Sequence, residues 1–229
     1  MRVLVHTQKG GVGKTTTVVN LGAALLRLGH AQRVLLADLD PQQHLTAMVV
    51  TQEPQSGAQG PLPVCGEPGL FLVSGASCAT GDPFGRARDV NATWTIVDTA
   101  PGWSPRIAEA CTRADLILCP LEPDFLGLSG VGRMLDQFGT HELERDRLRF
   151  LLTRFNPRLA LHREVRDRLN ARFGGMLLPH EIRNSIKLAE APGMGRTIFA
   201  HAPASTGSSD YSALATVLAQ ARKSGRTAA

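Results

Sequence analysis

The sequence predicts an α/β fold, a mostly parallel, twisted sheet with helices on both faces, and three observations predict it. Short, continuously apolar runs recur along the chain, stretches with helical spacing separate them, and a glycine-rich loop sits at the first junction between the two. A run that is apolar throughout, rather than alternating, is buried on both faces, which is the pattern of parallel strands covered by helices.

The first run is RVLVHT, from Arg2. Val18, Leu21, Leu25 and Leu28 then repeat at helical spacing over residues 14–28, with Gly29 as a stop signal, and RVLLAD follows to close one βαβ unit. The further runs LFLVSG, TWTIVDT, ADLILCP, LRFLLTR and GGMLLP read as later strands. Helices are expected near 126–138, 159–172 and 208–223. In the second of these Leu161, Val165 and Leu169 form the inward stripe, with Arg163, Arg166 and Asp167 outside. Residues 51–69, rich in Pro and Gly and without a period, read as a loop excursion, and 224–229 as a flexible tail. The chain of 229 residues suffices for one substantial core, so residues 1–229 are expected to form a single domain.

Composition excludes several classes. Hydrophobic residues make up 43% and charged residues 20%, ordinary values for a globular protein. The opening MRVLVHTQKGG lacks a secretory signal, no run reaches the ~18 apolar residues of a membrane span, and the ending ARKSGRTAA is too polar for an amphipathic anchor. A cytoplasmic protein with no membrane partner is expected. Cys65, Cys78, Cys111 and Cys119 have no metal-ligand spacing and read as reduced core or loop residues. Charge is uneven. Residues 1–140 hold ten Lys and Arg against twelve Asp and Glu, a net −2, whereas 141–229 hold fifteen against eight, a net +7. A basic C-terminal part suits an acidic partner such as nucleic acid.

The strongest chemical signal is Gly10, Gly11, Val12, Gly13, Lys14, Thr15 and Thr16, placed directly after a strand and directly before a helix. Glycines let backbone N–H groups turn inward around phosphate oxygens, and the following helix adds its positive end. Lys14 then reaches the β and γ phosphates of a nucleotide, and the Thr15 hydroxyl ligates Mg²⁺. Asp38 and Asp40, in ADLDPQ, and Asp98, in TIVDTAPG, follow apolar strands, at the sheet edge where α/β proteins bind ligands. A carboxylate there reads as a holder of Mg²⁺ through water.

With Lys9 in front of the loop, KGGVGKTT resembles the deviant Walker A motif of the ParA–MinD family of P-loop ATPases (the SIMIBI class), and of its ParA/Soj branch in particular. ADLDPQ resembles that family's switch I, TIVDTAPG its Walker B and switch II, ADLILCPLEP its next strand and turn, and NSIKLAEAPGMG its C-terminal signature. The resemblance implies ATP and Mg²⁺ as cofactors and an ATP-bound homodimer. Lys9 would be the signature lysine, crossing the interface to the partner's phosphates. Asp40 would orient the attacking water, Asp38 would sit close to the Mg²⁺ shell and Asp98 would hold the metal. It also implies non-specific binding of double-stranded DNA, through basic residues that match best at Arg158, Arg183 and Lys187, and a nucleoid-associated ATP state. Hydrolysis would be stimulated by a ParB-like protein or a small basic adaptor, in the service of partitioning or positioning a plasmid, a chromosome or a protein assembly.

The sequence departs from the family in switch I, where PQQHLT puts Gln43 and His44 in place of Gly and Asn, and in switch II, where Ala100 precedes Pro101. His44 reads first as an exposed loop histidine and second as a base. Beginning at its first strand, the chain is expected to lack the winged helix with which longer ParA proteins read operators. Two other classes stay open: a MinD-like membrane-associated ATPase, which the polar tail disfavours, and a metabolic or metal-cluster P-loop enzyme, for which Cys111 and Cys119 are poorly spaced.

Overall fold

Runs of Val, Leu and Ile with no alternation produce strands without a solvent face, and the parallel sheet follows from them. The computed structural model describes residues 1–49, 60–64, 66–74 and 82–225. Among the described residues seven strands, β1 (Arg2–Val5), β2 (Val34–Asp38), β3 (Leu62–Pro63), β4 (Leu70–Val73), β5 (Trp94–Asp98), β6 (Leu116–Leu121) and β7 (Leu148–Leu152), lie in the order β3-β4-β2-β5-β1-β6-β7. All neighbours are parallel except β3 and β4, where Leu62 faces Leu72 across an antiparallel pair. The register sets Asp38 beside Asp98 and Val5 on the other side of Asp98, so the ends of β1, β2 and β5 form one edge.

Helices cover both faces. On one, α1 (Lys14–Arg27) packs against α8 (Thr206–Lys223) through Val18, Leu21, Leu25, Tyr211, Leu214 and Leu218. On the other, α3 (Pro105–Arg113), α4 (Phe125–Thr140) and α5 (Ala160–Phe173) bury Ile107, Val131, Phe138, Val165 and Leu169 against the opposite sides of the same strands. Each buried Leu or Ile contributes roughly 1.5–3 kcal/mol of transfer free energy. Gly29 does stop α1, at φ 68, donating its N–H to Leu26.

Several expectations need correction. GGMLLP is not a strand: Gly174–Met176 make a short 3-10 turn and only Leu177 bridges to Phe150. Leu161 is exposed at the start of α5, and Leu28, just past the end of α1, is also exposed, because a helical stripe ends where the partner surface does. Within the 51–69 excursion, residues 51–59 and 65 lie outside the described residues, and 62–63 form the short strand β3. The tail beyond Gly225 lies outside as well. Helical spacing does not reveal α2 (His44–Val49), α6 (Ile186–Glu190) and α7 (Ile198–His201), which are too short to repeat a helical period. Nor was α3 expected, although its start was legible: Ser104 caps it by accepting from the Ile107 N–H, and Pro105 follows.

Gly69 leads into β4 at φ 89, and its carbonyl accepts from Val34 N–H at 2.9 Å. A Cβ there would stand 2.6 Å from the Gln32 carbonyl oxygen. Gly69→Ala therefore combines backbone strain with a collision against main chain, and thermal unfolding should show a loss of about 2 kcal/mol, or ~4–8 °C.

Candidate functional site

At the sheet edge where β1 ends, the chain turns through Gly11 at φ 77 and Gly13 at φ 89, left-handed conformations that suit glycine. Gly13 is the N-cap of α1 and brings no side chain to its first turn, so the helix presents its first N–H groups to the loop. Thr153, after β7, fixes the loop from behind by donating its hydroxyl to the Val12 carbonyl at 2.9 Å. A cavity of about 360 Å³ opens over Gly10, Gly13, Lys14, Thr15, Asp40 and His44. Lys14 is 7% exposed, and its Nζ donates to the Lys9 carbonyl at 3.2 Å. Burial lowers its pKa, opposed by the Asp98 and Asp40 carboxylates it faces. A buried ammonium with no carboxylate in direct contact among the described residues is well placed to meet an incoming polyphosphate.

Beneath it Thr15 donates its hydroxyl to Asp98 Oδ2 at 2.6 Å. The other oxygen, Oδ1, is buried and has no hydrogen-bond partner among the described residues, and burial pushes this carboxyl up to about 7. A hydroxyl beside a carboxylate with a spare buried oxygen fits a hard divalent cation that keeps part of its water. Asp38 is differently engaged. Its carboxylate accepts from Asp40 N–H at 3.0 Å, Thr46 N–H at 2.9 Å and the Thr46 hydroxyl at 2.8 Å, tying the loop after β2 to α2, and burial raises its pKa. Asp40 accepts from Gln42 N–H at 2.9 Å on Oδ1 and meets His44 Nδ1 at 2.6 Å on Oδ2. Gln43 between them sits at φ 54, in the conformation that the glycine of the resembled motif would adopt without strain.

The model of the CobQ/CobB/MinD/ParA nucleotide-binding domain matches residues 3–198, a span that contains every element of this edge. The chain belongs to the CobQ/CobB/MinD/ParA family. It is 34% identical to the chromosome-partitioning ATPase Soj of Thermus thermophilus, with 93% of each chain covered. Cobyrinic acid a,c-diamide synthase from Mycobacterium smegmatis, solved with bound ADP and magnesium, superposes with TM-score 0.75 at 25% identity, over 99% of this chain and 97% of that one. A ParA-family ATPase from Chlorobium tepidum shares the fold at TM-score 0.77 and 17% identity, over 94% of this chain and 98% of that one.

In this member of the CobQ/CobB/MinD/ParA family, Lys9 is held within its own chain. Its Nζ donates to Glu122 at 2.7 Å and Asp124 at 3.0 Å, which keep the ammonium above the usual lysine range. Glu122 also pairs with Arg154 at 3.0 Å. Sequence reasoning missed Arg154, although LLTR ends a strand at the same edge as the predicted carboxylates. The residue lies at φ 50 and lines both the phosphate cavity and an adjoining one of about 440 Å³ floored by Val12, Thr16, Ile182 and Tyr211.

The three candidate DNA contacts come from segments that meet behind β7, where Phe155 bridges to Arg183. Arg158 is exposed, and Lys187 is exposed but paired with Glu190 at 2.9 Å. Arg183 forks onto buried Asp210, with contacts of 2.6 and 3.0 Å, and lines the larger cavity. Cys111 and Cys119 are buried thiols pushed up to about 12 by burial; Cys65 and Cys78 lie outside the described residues. No described helix is long and apolar enough to cross a membrane.

Proposed function

We propose that this chain is a Soj-like ATPase whose Mg-ATP form dimerises, binds DNA without sequence preference and so partitions or positions a cargo. The observation that carries the reading is the convergence of Lys9, Lys14, Thr15, Asp40 and Asp98 at one sheet edge, on a chain 34% identical along its length to a chromosome-partitioning ATPase. The triphosphate occupies the cavity over Gly10–Thr16, and the base takes the adjoining one beside Ile182 and Tyr211. Thr15 would hold Mg²⁺ directly and Asp98 through water, and the ion would supply positive charge to the phosphates. Asp38 keeps the switch loop in register with it. Lys9 leaves Glu122 and Asp124 for the partner's phosphates, so the second chain supplies charge to a loose transition state that needs positioned charge most. A ParB-like protein or small basic adaptor would promote that exchange, in the cytoplasm and on the nucleoid.

Arg158, Arg183 and Lys187 are the proposed DNA contacts, with two copies brought side by side in the dimer. Arg183 must share its guanidinium with Asp210, so Arg158 and Lys187 carry more of the contact. The full chain with Mg-ATP should retard random duplex DNA, with affinity falling on a log–log salt slope of about −0.9 per phosphate neutralised. The double variant Arg158→Glu, Lys187→Glu should lose the retardation and keep ATP binding. Retardation equal to that of the parent would remove the proposed face. No retardation of any duplex by the parent with Mg-ATP would favour the metabolic reading that the likeness to cobyrinic acid a,c-diamide synthase supports.

A further inference from the structure

Asp40 is buried, whereas His44, bound to it at 2.6 Å, has a side chain 66% exposed, and both line the phosphate cavity. A carboxylate only accepts hydrogen bonds, so the Nδ1 that meets Asp40 carries a proton, and in the neutral ring Nε2 keeps its lone pair. His44 is held from both sides. Gln43 takes the left-handed turn before it and donates its N–H to the Asp40 carbonyl at 2.8 Å, while Thr46, two residues on, is anchored to Asp38. Leu45, Met48 and Val49 bury the rest of α2 in the core. A strained backbone residue and a packed helix thus fix an imidazole whose tautomer is set by a buried carboxylate, the arrangement that aims a nitrogen lone pair at a reacting group.

On the ATPase reading above, we propose that His44 is a catalytic residue of hydrolysis and that Asp40 is the positioning residue behind it. Nε2 accepts a hydrogen bond from the attacking water. As the water oxygen bonds to the γ phosphorus and the bond to the β-phosphate bridging oxygen breaks, the water proton passes to Nε2, and from there to the released phosphate. ADP leaves with the electron pair of the broken bond. The exposed member of the pair meets the water, and the buried member orients it.

The test uses the full chain, with steady-state Mg-ATP hydrolysis and equilibrium binding of a fluorescent ATP analogue. His44→Ala should lower kcat by about 10- to 100-fold, with analogue affinity within about twofold of the parent. His44→Asn can still donate to Asp40 from its amide but does not extend to the Nε2 position, and should stay as slow as alanine. His44→Gln places an amide oxygen near the Nε2 position and should recover part of the rate. Recovery by Asn to the parental rate would overturn the assignment and leave His44 as an anchor for Asp40. Parental kcat in His44→Ala, or a loss of affinity that accounts for the whole defect, would also overturn it. Failure of the unsubstituted chain to bind the analogue would instead overturn the ATPase reading beneath it.

Discussion

Lys14→Ala should weaken Mg-ATP binding by about 10- to 100-fold, the equivalent of one or two charge-assisted hydrogen bonds. Lys14 is the one cation of the glycine loop buried against the floor of the phosphate cavity, and it faces Asp98 and Asp40. Removing it leaves those carboxylates to repel the nucleotide with no charge between them and it. The fold should tolerate the change, because the Lys14 ammonium makes a single long bond to the Lys9 carbonyl, 3.2 Å, and its desolvation is unfavourable in the empty chain. Isothermal titration calorimetry of the variant, alongside a thermal melt matching the parent, separates the two effects. Unchanged affinity would remove the phosphate loop from the account.

Asp40→Ala should bind Mg-ATP with near-parental affinity and turn it over about 100-fold more slowly. Asp40 contacts the switch loop and His44, not the glycine loop, so the ground-state nucleotide loses little. What is lost is orientation at the point where water must approach the γ phosphate, an interaction made only in the transition state. Single-turnover hydrolysis of pre-bound ATP measures it directly, and near-parental turnover would place the water elsewhere.

The parallel sheet was legible because β1, β2, β5, β6 and β7 are mostly apolar and do not alternate, Thr95 and Arg149 being the internal exceptions, and the phosphate loop because a Gly-rich strand–helix junction ending in Lys and Thr makes that geometry. GGMLLP failed because apolar content does not distinguish a strand from a segment that merely covers one; Leu177 pairs at a single point and the chain moves on. Leu161 failed because helical spacing cannot say where the covering surface stops. At the site, the motif named residues that meet at this sheet edge but not their engagements. The motif places Asp38 near the cation but does not encode that its oxygens accept from the Asp40 N–H and from Thr46, or that Gln43 between those segments is left-handed. Glu122 follows β6 and Arg154 follows β7, so the Lys9–Glu122 and Arg154–Glu122 pairs join segments far apart in sequence.

ATP should join two chains through Lys9, and the mass of the slow-hydrolysing chain by light scattering on size exclusion reads this directly. Asp40→Ala with Mg-ATP should elute at twice the chain mass of 24.5 kDa, and with ADP at the chain mass. Lys9→Ala added to it should bind ATP and remain a monomer, because the ammonium now shared by Glu122 and Asp124 is the one that must reach across. An ATP-bound monomer of the Asp40→Ala chain, or an undiminished dimer without Lys9, would contradict the account.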